Sequence, residues 1–412
     1  EIVNSDWSSD VCSSDLFLAC TAFSLKPVVL IPGTYASVLQ MTGSNMGLQW
    51  YCPKKVENSI IWLEEKYFVP PVVNCLLQWV TVHYDAKTDS QVPLPGANID
   101  VYDFGGLGGV SYVDKFIGNI SFVPYYIKLI KLLKSKGYVE RETLFGAPVD
   151  WRYGLANNKK VFYKRLIKLC EDIKAKTGSK SVIIGHSFGG YCVQDFLANG
   201  VTKAWCDKYI DRGIMFAPSF AGSSETLGIA WDRDIKFHGL NIDLKFVRAA
   251  LEGMGAVHIH FPNWEIYGDK TLIYGPNGEE YRAKDIPQLL IRHGRITGDN
   301  VNLLNLNKPF YSKFPNMTNA PAYIIYNSGR QTINGIKLVD WDSKNTYQTV
   351  YGNGDGTLMA EGINAYCQKY KGTGLIECND IKDTGKSGTH FGMLLDDKTL
   401  SLLYQKDRKS VV

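Results

Sequence analysis

Residues 181–192 read SVIIGHSFGGYC, and the fold turns on whether Ser187 sits on a sharp strand-to-helix turn. The stretch opens on the β-branched run Val182-Ile183-Ile184 and runs on into YCVQDFLANG, which is compatible with a helix. Between them, Gly185-His186-Ser187-Phe188-Gly189 has G-x-S-x-G spacing. Glycines two before and two after the serine are what a turn with crowded backbones requires if the hydroxyl is to stand exposed above a helix N-terminus. The pattern by itself arises by accident about 0.1 times in a chain of this size, so its surroundings have to carry the reading.

Those surroundings repeat one rhythm. KPVVLIPG (26–33) is a buried-strand pattern stopped by Pro32-Gly33, and PYYIKLIKLLKSKG (124–137) has helical apolar spacing between Pro124 and Gly137. A short strand is expected at 143–147, an amphipathic helix at 157–177 ending on Gly178, then the 181–186 strand with its helix, and a further strand at 209–216. Such alternation predicts an α/β fold, a parallel sheet with helices on its faces. Strand patterns return at 322–326 and 347–351. Two stretches break the rhythm. The aromatic-rich segment 50–82 reads as a partly helical excursion rather than a sheet element, and 222–315 reads as an insertion rather than a second sheet.

A chain of 412 residues, 45% hydrophobic and 21% charged, is long enough for one large domain or two modest ones. A net charge of +4 without a basic stripe argues against a dedicated nucleic-acid binder. No apolar run approaches the roughly 20 residues needed to span a bilayer. LFLACTAFSL (16–25) has the length of a signal-peptide apolar region, but EIVNSDWSSDVCSSD before it is acidic where a basic segment belongs. Residues 1–25 are therefore set aside as an artefact-like N-terminus with a remnant signal-like segment. The tail KDRKSVV (406–412) is set aside likewise, leaving 26–405 as the folded region. Nine cysteines include no paired CxxC, which argues against structural zinc. Cys52 and Cys75 bracket the aromatic segment and Cys367 and Cys378 a glycine-containing one; each pair is either a disulfide or two buried thiols. Sequons at Asn119 and Asn316 fit a secretory route.

An elbow serine needs a general base and a group that orients it, and in this fold the order along the chain is serine, acid, histidine. Asp355, in GNGDGT, follows a strand-like run. Of the seven histidines, His390 alone comes after it, in the glycine-flanked GTHFGML. His186 adjoins the nucleophile and should point away from it, while His258 and His260 alternate in a strand-like run. Ser187, Asp355 and His390 are thus the candidate catalytic residues. The amides of Phe188 and of Thr34, in IPGTYAS, are the candidate oxyanion donors. This chemistry calls for no metal and no cofactor.

With these pieces placed, the chain resembles the lecithin–cholesterol acyltransferase family, including its lysosomal phospholipase A branch. The resemblance runs from about Val28 to Leu403 and rests on VLIPGTYAS, IIWLEEKYFVPP, APVDWRYG, IIGHSFGG, FPNWEIYG, GDGT and THFGML, in that order. It implies an α/β-hydrolase core with a membrane-binding insertion at 50–82, closed by a Cys52–Cys75 disulfide, and a cap with a lid at 222–315. It also implies that Trp62 lies by the site and helps bind lipid chains, and that Asp150 and Arg152 form an internal ion pair; Trp62, Tyr67, Phe68 and Val69 are expected to insert at a lipid interface, which tryptophan and tyrosine suit. The implied activity is a secreted or lysosomal serine acyl hydrolase and acyltransferase. It would act as a monomer at a phospholipid membrane or lipoprotein surface and pass a fatty acyl group to water or a lipid alcohol. The rivals are a neutral-lipid or carboxyl esterase on the same fold and a non-catalytic lipid-binding relative. Ala36 stands where the family commonly has glycine, and no cysteine lies near Tyr326 to form a second disulfide of some relatives.

Overall fold

A computed structural model describes residues 25–114, 123–233, 243–341 and 347–405. The Asn119 sequon and almost all of the two set-aside termini fall outside the described residues. Among the described residues, six strands form a central parallel sheet: β1 Val28–Ile31, β2 Leu144–Gly146, β3 Ser181–His186, β4 Ile210–Phe216, β5 Ala322–Tyr326 and β6 Ile376–Asp380. They lie in the order β6-β5-β4-β3-β1-β2.

The two faces of this sheet follow from side-chain alternation. Val29, Ile31, Ile183, Met215 and Ile324 point into one core, shared with Leu166, Cys170 and Ile173 of the helix Phe162–Thr177. Val28, Leu30, Val182, Ile184, Ile214 and Ile325 point into the other, shared with Leu129 and Leu133 of the helix Ile127–Ser135 and with Leu400 and Leu403 of the helix Asp397–Gln405. A sheet buried on both faces explains why its strands read as continuous apolar runs.

The order β3–Ser187–helix Phe188–Asp195 realises the sharp turn. Ser187 has φ 57° and ψ −122°, a conformation that L-residues rarely adopt. Both flanking glycines are dictated by close approach. A Cβ on Gly185 would lie 2.3 Å from the Gly189 carbonyl oxygen, and one on Gly189 would lie 2.2 Å from the Ile31 carbonyl oxygen.

Two expectations are corrected. Residues 50–82 do contain a sheet element: Lys55–Trp62 pairs antiparallel with Leu39–Ser44, which also pairs with Ala97–Val101. Register shifts in the first pairing break the period-two pattern by which a strand is recognised. The excursion is helical only at Glu65–Tyr67 and Val73–Val80. Residues 222–315 likewise contribute to a second sheet. The strand Thr271–Tyr274 pairs with Glu280–Arg282 and, in parallel, with Arg330–Leu338 of the hairpin that ends at Tyr347–Gly354. The other regular elements among the described residues of the insertion are helices, and His258 lies in a short helix, Gly255–Ile259, rather than a strand.

Cys52–Cys75 and Cys367–Cys378 are both disulfides, and Cys170, Cys192 and Cys206 are free and buried. The first bridge spans 23 residues of sequence. On chain-entropy grounds, opening a loop of that size costs about 3 kcal/mol. A Cys52→Ala, Cys75→Ala variant is therefore expected to lose about that much stability in denaturant unfolding. A loss below about 0.5 kcal/mol would mean that packing alone holds the segment.

Candidate active site

Parallel strands deliver their C-terminal ends to one edge of a sheet, and the loops there meet. Thr34 follows β1, Ser187 follows β3, Ser219 follows β4, and His390 follows β6. Asp355 lies in the long connection from β5 to β6, just beyond the strand Tyr347–Gly354. Thr34, Ser187, Ser219 and His390 line a single cavity of about 260 Å³.

His390 and Asp355 are 4% and 2% exposed, and His390 Nδ1 lies 2.8 Å from Asp355 Oδ2. The other carboxylate oxygen, Oδ1, accepts the Thr357 and Leu358 amides at 2.9 and 2.7 Å. The His390 amide donates to the Asp355 carbonyl at 2.9 Å. An acceptor-only carboxylate held this way fixes the proton on Nδ1 and leaves Nε2 with a lone pair that can accept a proton.

The loop after β1 is fixed from below by aromatic rings. Trp62 Nε1 donates to the Tyr35 carbonyl at 2.7 Å, and Trp151 Nε1 donates to the Ser37 carbonyl at 3.2 Å. The Trp62–Trp151 and Tyr35–Trp151 ring centroids are 4.8 and 4.9 Å apart. A Cβ on Gly33 would lie 2.9 Å from Ser187 Cβ, so this loop abuts the serine. Thr34 Oγ1 is buried with no hydrogen-bond partner among the described residues. Phe188 opens the helix beneath Ser187, and its ring is buried. Ala36 is buried in the same loop, 1% exposed.

The residues assigned to lipid contact are placed differently from one another. Trp62 and Tyr67 are 9% and 7% exposed, Tyr67 packing on Trp79 at 5.3 Å, and Phe68 is half-buried against Trp62. An aromatic ring buried to this extent is not free to enter a lipid surface. Val69, the fourth residue expected at the interface, is 57% exposed, and Trp50, just before the disulfide-closed loop, is 91% exposed. Asp150 and Arg152 form the implied ion pair, Nη2 to Oδ2 at 2.6 Å, with the guanidinium fully buried. Asn316 is exposed, whereas Thr318 of its sequon is buried and donates to the Ala320 carbonyl.

Sequence reasoning missed a second polar pair in the cavity. Ser219 Oγ lies 2.7 Å from His260 Nε2, and the His260 ring stands edge-on to Phe188 at 5.7 Å. Burial pushes the His260 imidazole down to about 4, so it is neutral at ordinary pH. Apolar groups line the same cavity, Ile229, Val257, Leu358 and the half-exposed ring of Phe391. The cavity thus combines the histidine of a buried Asp–His pair, a serine on a strained turn and apolar lining groups.

The family model described as lecithin:cholesterol acyltransferase matches residues 58–232. The phosphatidylcholine-sterol acyltransferase of Mus musculus is 31% identical over 206 residues, 50% of this chain and 46% of the relative. The chain thus spans about half the length of the curated relatives it matches at that identity. The lysosomal phospholipase A and acyltransferase of Rattus norvegicus is 23% identical over 362 residues, 86% of this chain and 84% of the relative. Among solved structures, a chain of the Tle4–Tli4 complex superposes with a TM-score of 0.54 at 10% identity, covering 91% of this chain and 96% of that one. The central sheet has the arrangement of an α/β-hydrolase, and residues 58–232, which include the turn at Ser187, are similar to the lecithin:cholesterol acyltransferase family.

Proposed function

We propose that this protein is a serine-dependent phospholipase A and lipid acyltransferase. Ser187 attacks a fatty acyl ester of a glycerophospholipid while His390 Nε2 takes its proton. Asp355 orients the imidazole and stabilises its charged form, and the amides of Thr34 and Phe188 receive the developing oxyanion. The acyl-enzyme then passes its chain to water or to the hydroxyl of a lipid alcohol. The observation that carries this reading is the buried Asp355–His390 pair, whose histidine lines the same cavity as the strained Ser187. The apolar wall of Ile229, Val257, Leu358 and Phe391 suits an acyl chain. Residues 222–315 act as the cap over it. Two disulfides suit a secreted or lysosomal setting.

The test is hydrolysis of vesicles carrying phosphatidylcholine, with and without an added lipid alcohol as acceptor. Release of fatty acid, and its transfer to the alcohol, is expected. Cleavage of soluble esters or neutral lipid with phosphatidylcholine untouched would mean an esterase on the same fold. No reaction with any ester or with a fluorophosphonate would mean a non-catalytic relative.

The disulfide-closed segment is the membrane contact, through the residues it exposes. A Trp50→Ser, Val69→Asp variant is expected to bind phosphatidylcholine vesicles about tenfold more weakly, since interfacial binding scales with buried apolar area. Hydrolysis of a soluble ester should stay within twofold, roughly, because neither side chain lines the cavity. Equal loss of both in co-sedimentation and soluble-ester assays would assign the segment to structure alone.

A further inference from the structure

A buried hydrogen-bond chain links the three loops of the proposed site, and it runs through a residue that no motif marks. Gly33 N–H donates to Tyr125 Oη at 2.8 Å, and Tyr125 Oη lies 2.5 Å from His186 Nδ1. His186 Nε2 lies 2.9 Å from the His390 carbonyl oxygen, and the His390 amide in turn reaches the Asp355 carbonyl. Tyr125 and His186 are 1% and 0% exposed. The two ends of the chain are Gly33, the neighbour of Thr34, and His390 itself. Its middle is His186, the neighbour of Ser187.

The protons in this chain have one consistent arrangement. A carbonyl oxygen can only accept, so His186 carries its proton on Nε2 and Nδ1 is the acceptor. Tyr125 therefore donates its hydroxyl proton to Nδ1 and uses a lone pair for the Gly33 amide. A second proton on His186 would face the Tyr125 hydroxyl proton, and burial together with the His390 charge holds this imidazole well below its usual range. His186 is a neutral strut, not a base. Its ring packs on His390 with centroids 4.5 Å apart, and Tyr125 crosses it at 5.5 Å.

We propose that Tyr125 and His186 are a positioning relay that holds the oxyanion loop, the nucleophile and the base loop in mutual register. Each loop follows a different strand, and beyond the strand ends, where the pairing of Ile31 with Gly185 stops, the relay ties the three loops together. The proposal rests on the catalytic reading above and assigns neither residue contact with the substrate.

Tyr125→Phe removes one oxygen and keeps the ring, so it separates the relay from the core. It orphans the Gly33 amide and His186 Nδ1 at once. The expected result is a kcat about 10- to 100-fold lower, the size seen for outer partners of functional groups, with KM within about twofold. Fluorophosphonate labelling of Ser187 should slow in parallel. His186→Gln breaks the same chain at its centre, so a double-mutant cycle should be strongly non-additive, the pair little worse than the worse single variant. Thermal unfolding reports whether either variant merely fails to fold. Wild-type labelling that stays equally fast in Tyr125→Phe, or additive losses in the cycle, would overturn the relay while leaving the catalytic reading intact. An unlabelled wild type would overturn the catalytic reading, and the relay's catalytic role with it.

Discussion

Ser187→Ala is expected to lower kcat on phosphatidylcholine by a factor of about 10⁴ to 10⁶, the loss that follows when an activated serine is removed and only binding and oxyanion contacts are left. Fluorophosphonate labelling should vanish with it. The fold should survive, because the turn does not depend on the hydroxyl: the Ser187 amide donates to the Phe216 carbonyl, and the Ser187 carbonyl accepts from the Tyr191 and Ser219 amides. The same position permits a sharper test. At φ 57° an L-residue is held against its steric preference, and such positions cost on the order of 1–3 kcal/mol. Ser187→Gly should thus be as inactive as the alanine variant yet more stable than it, by about 1 kcal/mol after glycine's greater entropy loss is deducted. Denaturant unfolding of the two variants measures this. Equal stability would mean that the turn stores no strain, and retained activity in either variant would remove Ser187 from the reaction.

What could be read ahead of the structure follows physical range. Gly185, Ser187 and Gly189 were legible because the backbones they crowd against lie at the same turn or one strand away, so the constraint is written locally. Asp355 and His390 were legible from order: a sheet of this topology delivers its later loops to the edge where Ser187 stands. The central strands were legible because burial on both faces removes polar alternation. The strand Lys55–Trp62 was not, since its shifted register interrupts the period. The second sheet was not either. Its strand Thr271–Tyr274 is four residues long and pairs with Arg330–Leu338, which only the tertiary fold brings beside it.

The site shows the same division. Nothing local marks Tyr125, which is 92 residues from Gly33 and 61 from His186. His260 was misread because HIHF alternates over too few residues to separate a strand from the end of a short helix. Tyr67 illustrates the opposite error. An aromatic residue in a segment expected to meet lipid was expected at the surface, but Trp79 covers it, and amphipathic rings fill cores as readily as they meet lipid.

Asp355→Asn is expected to lower kcat by about 10⁴ with little change in KM, as for a triad whose imidazole is left in the wrong tautomer. The geometry explains why an isosteric change is so costly. Oδ1 accepts two backbone amides, from Thr357 and Leu358, so in the variant that position must be the amide oxygen. The NH₂ group then faces His390 Nδ1, which can only respond by becoming an acceptor. Its proton moves to Nε2, the nitrogen that must take the proton from Ser187. The two backbone bonds persist, so the loop and the fold should be retained, and the melting temperature should fall by only a few degrees, on the order expected for 1 kcal/mol. Proton NMR of the imidazole, or a structure of the variant, would show the flipped tautomer. If instead Asp355→Asn keeps most of its activity, His390 is oriented by its packing on His186 and by the carbonyl contacts of its own loop, and the carboxylate is structural.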